Sequence, residues 1–157
     1  MDLSVLVRCY EVHYREGAQA ELDWFRNQVS LSSAIKYASL AMDEQGKRFP
    51  HQYRINREVM QKAKATLLSA VDDLQQCRTF EELLGLIETR VGCIWGLGEL
   101  YCYDTALRLG AKLNLLPQRV YLHRGTRDGA KALGLDHKAR LLEVQTLPDV
   151  LQRLGGR

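Results

Sequence analysis

The stretch Ile94-Trp95-Gly96-Leu97-Gly98 leads directly into Glu99-Leu100-Tyr101-Cys102-Tyr103-Asp104-Thr105-Ala106-Leu107-Arg108-Leu109-Gly110. Two glycines one residue apart allow the backbone to turn sharply and to lie close to another group. The residues that follow have the pattern of an amphipathic helix, so their first amides would lie at a helix N-terminus. Such amides, together with the helix dipole, can bind an anion. This junction therefore predicts two helices joined by a glycine turn that can face an anionic group.

Helical periodicity continues through most of the chain. The clearest apolar stripe lies within residues 53–74 and recurs at three- and four-residue spacing, at Ile55, Val59, Ala63, Leu67, Ala70 and Leu74. The pattern Thr79-Phe80-Glu81-Glu82 is typical of a capping box at the start of a helix to about Val91. Only 3 prolines occur, and strand-like alternation is nearly absent. We therefore expect an all-α fold, a compact bundle of six to eight helices in one domain over residues 1–157.

The remaining helices are expected at positions set by caps and breakers. They cover residues 3–15, 19–29, 31–45, 99–113, a short helix from Thr126 to Leu133, and a last turn from Pro148. Residues 119–123 are expected to form a short extended piece. We expect the ring of Trp95 to be buried beneath the glycine turn. We expect Trp24 and Phe25 to lie in the core, or at an interface if they are exposed.

Composition limits the class of protein without naming a function. The 157 residues are 46% hydrophobic and 26% charged, which is ordinary for a globular protein. The net charge of +3 allows an acidic partner but does not require one. No apolar run is long enough to cross a membrane, and the first eight residues do not resemble a signal peptide. We expect a cytoplasmic protein whose cysteines are reduced thiols rather than zinc ligands: Cys9, Cys77, Cys93 and Cys102.

Residues 81–113, with their two predicted helices and the turn 92–98, resemble the helix-hairpin-helix motif of DNA repair proteins. The resemblance implies that the turn at Gly96 and Gly98 binds phosphate through its amides. The related DNA glycosylases carry a catalytic aspartate in the next loop, and their lyase members carry a lysine soon after the second glycine. Here Leu100 and Tyr101 occupy the lysine region, and residues 120–124 contain no aspartate, so the resemblance implies no glycosylase activity. The alternative is a plain turn between two helices.

A basic stripe accompanies the clearest helix. At spacings of three and four, one helix face would carry Arg54, Arg57, Gln61 and Lys64. From Lys47 to Lys64 there are six lysines and arginines against one acid, Glu58. Such a stripe can follow a phosphate backbone, although a solvated helix face would have the same composition.

A second basic region lies in residues 119–131. Its cations are Arg119, Arg124, Arg127 and Lys131. Arginine binds phosphate with a fork of donors, and Thr126 followed by free amides would form a second helix N-terminal anion site. His123 is a weak candidate for a general acid or base, with a structural histidine as the alternative.

The helix after the glycine turn has a polar face formed by Tyr101, Asp104, Arg108 and Lys112. Asp104 and Arg108 are four residues apart and are expected to pair on the surface. Alternatively, Asp104 orients Arg108, or an arginine of the later loop 119–131, toward a ligand.

These features favour a nucleic-acid-binding protein that contacts phosphates through the turn and the basic residues, with DNA favoured over RNA. We expect little base recognition, because no aromatic stacking platform or recognition helix is evident. A protein-interaction module, as a homo-oligomer or a subunit of a larger assembly, is one alternative. An enzyme that acts on a phosphorylated or nucleotide substrate through His123 and nearby arginines is another. No metal ion, cofactor or membrane partner is expected.

Overall fold

A computed structural model describes residues 2–154, which are predominantly helical. They form nine α-helices and one two-stranded antiparallel sheet. The bounds are α1 Leu3–His13, α2 Arg15–Arg26, α3 Leu31–Ser39, α4 Arg57–Ser69, α5 Val71–Gln76, α6 Phe80–Val91, α7 Glu99–Leu113, β1 Val120–Tyr121, α8 Arg124–Ala132, β2 Leu141–Leu142 and α9 Asp149–Gln152. The all-α prediction is thus confirmed. The chain divides into two compact units. The expectation of one domain stays a prediction.

Unit 2, Gln19–Leu116, is a helical bundle. Within it α7 packs against α3 and α6, and α4 also packs against α3 and α6. Its largest fully buried aliphatic side chains are Ile35, Met60, Leu67, Leu74, Leu83, Ile87, Leu109 and Val91. In α4 and α6 these side chains recur at helical spacing, so each of these two helices presents an apolar face to the shared core. Burial of this apolar surface is the main favourable contribution to folding of the unit.

Local capping fixes where the central helices begin. The Thr79 hydroxyl accepts a hydrogen bond from the Glu82 amide at 3.1 Å, as predicted. The Glu82 carboxylate accepts from the Arg78 amide at 2.7 Å rather than from that of Thr79. Such a cap contributes about 1 kcal/mol. Helix α6 therefore starts where the sequence pattern indicates.

The apolar stripe over residues 53–74 predicts one continuous helix. This prediction is wrong in two respects, because the helix begins later and is interrupted. The Asn56 side chain accepts from the Glu58 amide at 2.7 Å, so α4 begins only at Arg57. Ala70, with φ −104° and ψ 16°, then separates α4 from α5. The consequence for the basic stripe is that Arg54 lies in the loop before α4 and not on the helix.

Unit 1 contains the residues up to Ala18 and those from Pro117 onward. Its α1 packs against α9, and its small apolar cluster is centred on Leu122, Ala130 and Leu142. The extended piece is confirmed, since Val120–Tyr121 pairs with Leu141–Leu142. The prediction that Thr126 caps α8 is wrong, because the helix begins at Arg124 after His123 as N-cap. Thr126 instead accepts from the His123 amide at 2.8 Å through its hydroxyl.

Substitution of alanine for glycine should change the stability in opposite directions at two helical positions, 85 and 110. A Cβ at Gly110 would lie 2.3 Å from the Leu115 carbonyl oxygen, whereas a Cβ at Gly85 would meet no described atom within 4 Å. Gly110→Ala should lower the free energy of unfolding by about 1–3 kcal/mol through forced backbone movement. Gly85→Ala should raise it by about 0.5–1 kcal/mol, since alanine favours the helix. Urea denaturation of both variants tests this packing, and effects of the same sign would contradict it.

Candidate functional site

The glycine turn between α6 and α7 has two glycines with different roles. Gly96 has φ +94°, a conformation that side chains disfavour, so the backbone itself requires glycine there. Gly98, the N-cap of α7, has φ −103° and ψ 179°, which any residue adopts. No described atom lies within 4 Å of a Cβ built at Gly98. The fold therefore does not require glycine at position 98, and that residue offers no side-chain acceptor to the first amides of α7.

Trp95 lies in this turn and is 91% exposed, so the prediction that its ring is buried is wrong. Leu97, which is 8% exposed, takes the interior position instead. On the opposite side of the turn, the Val59 side chain of α4 lies 3.8 Å from the Cβ position of Gly96. The Gly96 end of the turn therefore lies near α4, while the Trp95 indole is exposed to solvent.

A second contact joins the segment before α4 to helix α7. His51 lies in the 3₁₀ turn Pro50–Gln52, and its ring Nε2 donates to an Asp104 carboxylate oxygen at 2.8 Å. This bond and the position of Val59 near Gly96 place the two ends of residues 51–59, called here the bracketed segment, near Asp104 and Gly96, so it runs in the direction opposite to residues 96–104. Arg54 and Arg57 lie on the bracketed segment, and both are exposed.

The loop that carries Arg54 is held by another arginine. One terminal nitrogen of Arg48 donates to the carbonyl oxygens of Tyr53 at 3.2 Å and of Ile55 at 2.9 Å. These bonds satisfy two backbone acceptors that lie outside any helix. Arg48 therefore has a structural role, and it positions the chain on which Arg54 lies.

The α4 part of the basic stripe keeps its helical spacing. Arg57 is exposed, while Gln61 and Lys64 are half-buried at positions four and seven residues further along the same face. Exposed Lys62 adds a cation that the stripe did not include. An open depression in the surface is lined by Asn56, Arg57, Glu58, Gln61 and Lys62.

The prediction that Arg108 lies on an exposed polar face is wrong. Its side chain is 3% exposed, and its Nε donates to a Glu21 carboxylate oxygen at 3.0 Å. A terminal nitrogen donates to the Gln52 side-chain oxygen at 2.9 Å, and the guanidinium lies 4.0 Å from the Phe49 ring centroid. The predicted Asp104–Arg108 pair is also wrong, because Asp104 pairs with His51. Arg108 is thus a buried structural cation and not a surface contact for a ligand.

Other residues of the predicted polar face are likewise engaged in the fold. Tyr101 is 2% exposed and its hydroxyl donates to the Ser39 carbonyl oxygen at 2.7 Å. Lys112 donates to the backbone carbonyls of Arg26 and Gln28. Burial raises the pKa of the Cys102 thiol to about 11 and that of the Tyr103 hydroxyl to about 12. Both groups therefore stay protonated at neutral pH, and neither is an activated nucleophile.

In unit 1, the basic residues predicted to bind phosphate differ in their exposure and in their ion pairs. Arg119 forms an ion pair with Glu143 at 3.0 Å. Arg124 and Lys131 are exposed and Arg127 is half-buried, and their spacing places all three on one face of α8. His123 is the half-buried N-cap of α8, and the Thr126 hydroxyl lies 3.0 Å from its carbonyl oxygen. These contacts give His123 and Thr126 a role in starting the helix.

Metal ligands and membrane-spanning helices are both absent from the described part of the chain. Within residues 2–154, no three His, Cys, Asp or Glu side chains are grouped so that they could hold a metal ion. No helix in that range has the length and apolar character needed to cross a bilayer.

Sequence reasoning missed Glu21, His51 and Gln52, whose partners on α7 are 53 to 87 residues away in the chain. No local pattern marks such pairs. In comparisons with known proteins, the chain matches no protein family, no curated protein and no solved structure.

Proposed function

We propose that this chain binds nucleic acid through one surface of unit 2. The surface, called here the turn surface, consists of Arg54, Arg57, Lys64, Gly96 and Gly98. The observation that carries the proposal is the His51–Asp104 bond, which holds the loop that carries Arg54 against α7, the helix that begins after Gly98. Arginine side chains and helix N-terminal amides both bind phosphate. Arg57 and Lys64 lie on the side of α4 that faces away from Val59, so a ligand that reaches them as well as the turn passes around α4.

Charge composition supports a polyanionic ligand. The segment Lys47–Lys64 contains a single acid among six basic residues, and the turn Gly92–Gly98 contains no charged side chain. Phosphate contacts of this kind supply most of the affinity in non-specific nucleic-acid binding. Arg124, Arg127 and Lys131 on α8 are proposed as a separate phosphate-binding face of unit 1.

All four cysteines are free thiols, which fits a role in a reducing compartment such as the cytoplasm.

Gly98→Ser tests the role of the α7 amides. Serine at the N-cap accepts a hydrogen bond from the first turn of the helix, so α7 should gain a few tenths of a kcal/mol in stability. The same oxygen competes with a phosphate for those amides, so affinity for a labelled DNA oligonucleotide should fall roughly tenfold. Fluorescence anisotropy measures the affinity and thermal unfolding measures the stability.

Gly98→Ala is the matched control, because it adds the same Cβ without an acceptor. Alanine is a poor N-cap and should cost up to about 1 kcal/mol of stability, while the variant binds DNA more tightly than Gly98→Ser. The proposal predicts that stability and affinity change in opposite directions across this pair. If Gly98→Ser binds DNA as tightly as wild type, the α7 amides do not take part in binding.

A further inference from the structure

We infer that Trp95 stacks on an unpaired nucleobase, so that the ligand of the turn surface is single-stranded nucleic acid. This inference rests on the proposed function and deepens it. It starts from the 91% exposure of the Trp95 side chain, which places a large flat apolar ring in water. The other tryptophan, Trp24, has ring partners in Phe25 at 4.8 Å and Tyr37 at 5.0 Å between centroids.

The turn leaves the space around the Trp95 ring accessible. Gly96 follows it directly and Gly98 comes two residues later, and both are exposed. No described atom lies within 4 Å of the Cβ position at Gly98. The buried Leu97 side chain and the hydrogen bond from the Leu97 amide to the Ile94 carbonyl oxygen at 3.1 Å anchor the turn, so Trp95 is presented by a packed turn and not by a free loop. Little conformational entropy is therefore lost when a flat group stacks against the indole.

The chemistry of the surroundings identifies that flat group as a base. Exposed Arg54 lies three residues after His51, which binds Asp104 of α7, the helix that this turn leads into. A ligand that satisfies both features presents phosphates and an aromatic face within a few nucleotides. A single strand does this, whereas in a duplex the faces of the bases are covered by their neighbours. The basic character of the segment favours a polyanion over an apolar protein surface at the same place.

The test compares one mixed-sequence oligonucleotide as a single strand and as a duplex. Affinities are measured for wild type, Trp95→Ala, Trp95→Phe and Trp24→Phe, and unfolding curves check that each variant is folded. We expect wild type to bind the single strand more tightly than the duplex. Trp95→Ala should weaken single-strand binding about tenfold or more and leave duplex binding unchanged, with Trp95→Phe intermediate.

Tryptophan fluorescence provides a second, direct measurement. The unlabelled single strand should quench the emission of wild type and of Trp24→Phe, because Trp95 remains in both. It should leave the emission of Trp95→Phe unchanged. Unaltered single-strand affinity in Trp95→Ala, or tighter binding of the duplex, would overturn the inference while the proposed function stands. Absence of binding to both forms at low salt would overturn the proposed function and the inference with it.

Discussion

Arg108→Ala should lower the free energy of unfolding by about 2–4 kcal/mol, because it removes a buried guanidinium with several partners and leaves the partly solvated Glu21 carboxylate unpaired. The substitution removes the bond to Glu21, the bond to the Gln52 oxygen and the guanidinium that lies over Phe49. Gln52 is 2% exposed, so its amide oxygen would lose its partner in the interior. A buried acceptor left without a donor adds to the loss.

The network around Arg108 also connects stability to the candidate site. Gln52 ends the 3₁₀ turn that carries His51, so loss of its bond to Arg108 frees one end of the bracketed segment. Arg57→Ala is the control, since Arg57 is exposed and should change stability by less than about 0.5 kcal/mol. Urea denaturation distinguishes the two variants. A cost below about 1 kcal/mol for Arg108→Ala would contradict a buried network in which Arg108 holds Glu21 and Gln52.

The double variant Arg54→Glu/Arg57→Glu should lose nucleic-acid affinity about a hundredfold at moderate salt, because two attractive interactions with phosphate become repulsive. The slope of log K against log salt should become shallower by about 2, roughly one for each arginine that no longer neutralises a phosphate. Both side chains are exposed, so the variant should fold with nearly unchanged stability. The measurement is anisotropy of a labelled oligonucleotide across a salt series.

Arg78→Glu is the matched control for the single variant Arg57→Glu. It makes the same change of charge on an exposed residue before α6, at the end of that helix away from the glycine turn. If nucleic acid binds at the turn surface, Arg57→Glu should lose much more affinity for the oligonucleotide than Arg78→Glu. Equal losses would show that binding follows net charge and not this surface.

The parts of the fold that could be predicted from the sequence depend on neighbours in the chain. Helix α7 begins and ends where the pattern after Gly98 indicates, and the Thr79 cap forms as its spacing predicts. Both features involve residues within a few positions of each other. Periodicity and capping chemistry therefore suffice to find them.

The parts that could not be predicted depend on distant partners. Arg108 has the spacing of a surface residue, yet Glu21 and Gln52 supply a buried charge partner and acceptor from elsewhere in the chain. Trp95 has the apolar character of a core residue. Leu97, however, takes the buried position in the turn, and Val59 packs against Gly96. Which apolar residue of a turn is buried depends on the helix beneath it, and no local pattern identifies that helix.

The most direct test of the central claim is the affinity of the wild-type protein for short single-stranded and duplex oligonucleotides between about 50 and 200 mM salt. The account predicts measurable binding at the lowest salt. It also predicts that log K falls linearly with log salt, with a slope that reflects the phosphate contacts of the turn surface. Absence of binding at the lowest salt, or affinity that does not change with salt, would contradict it.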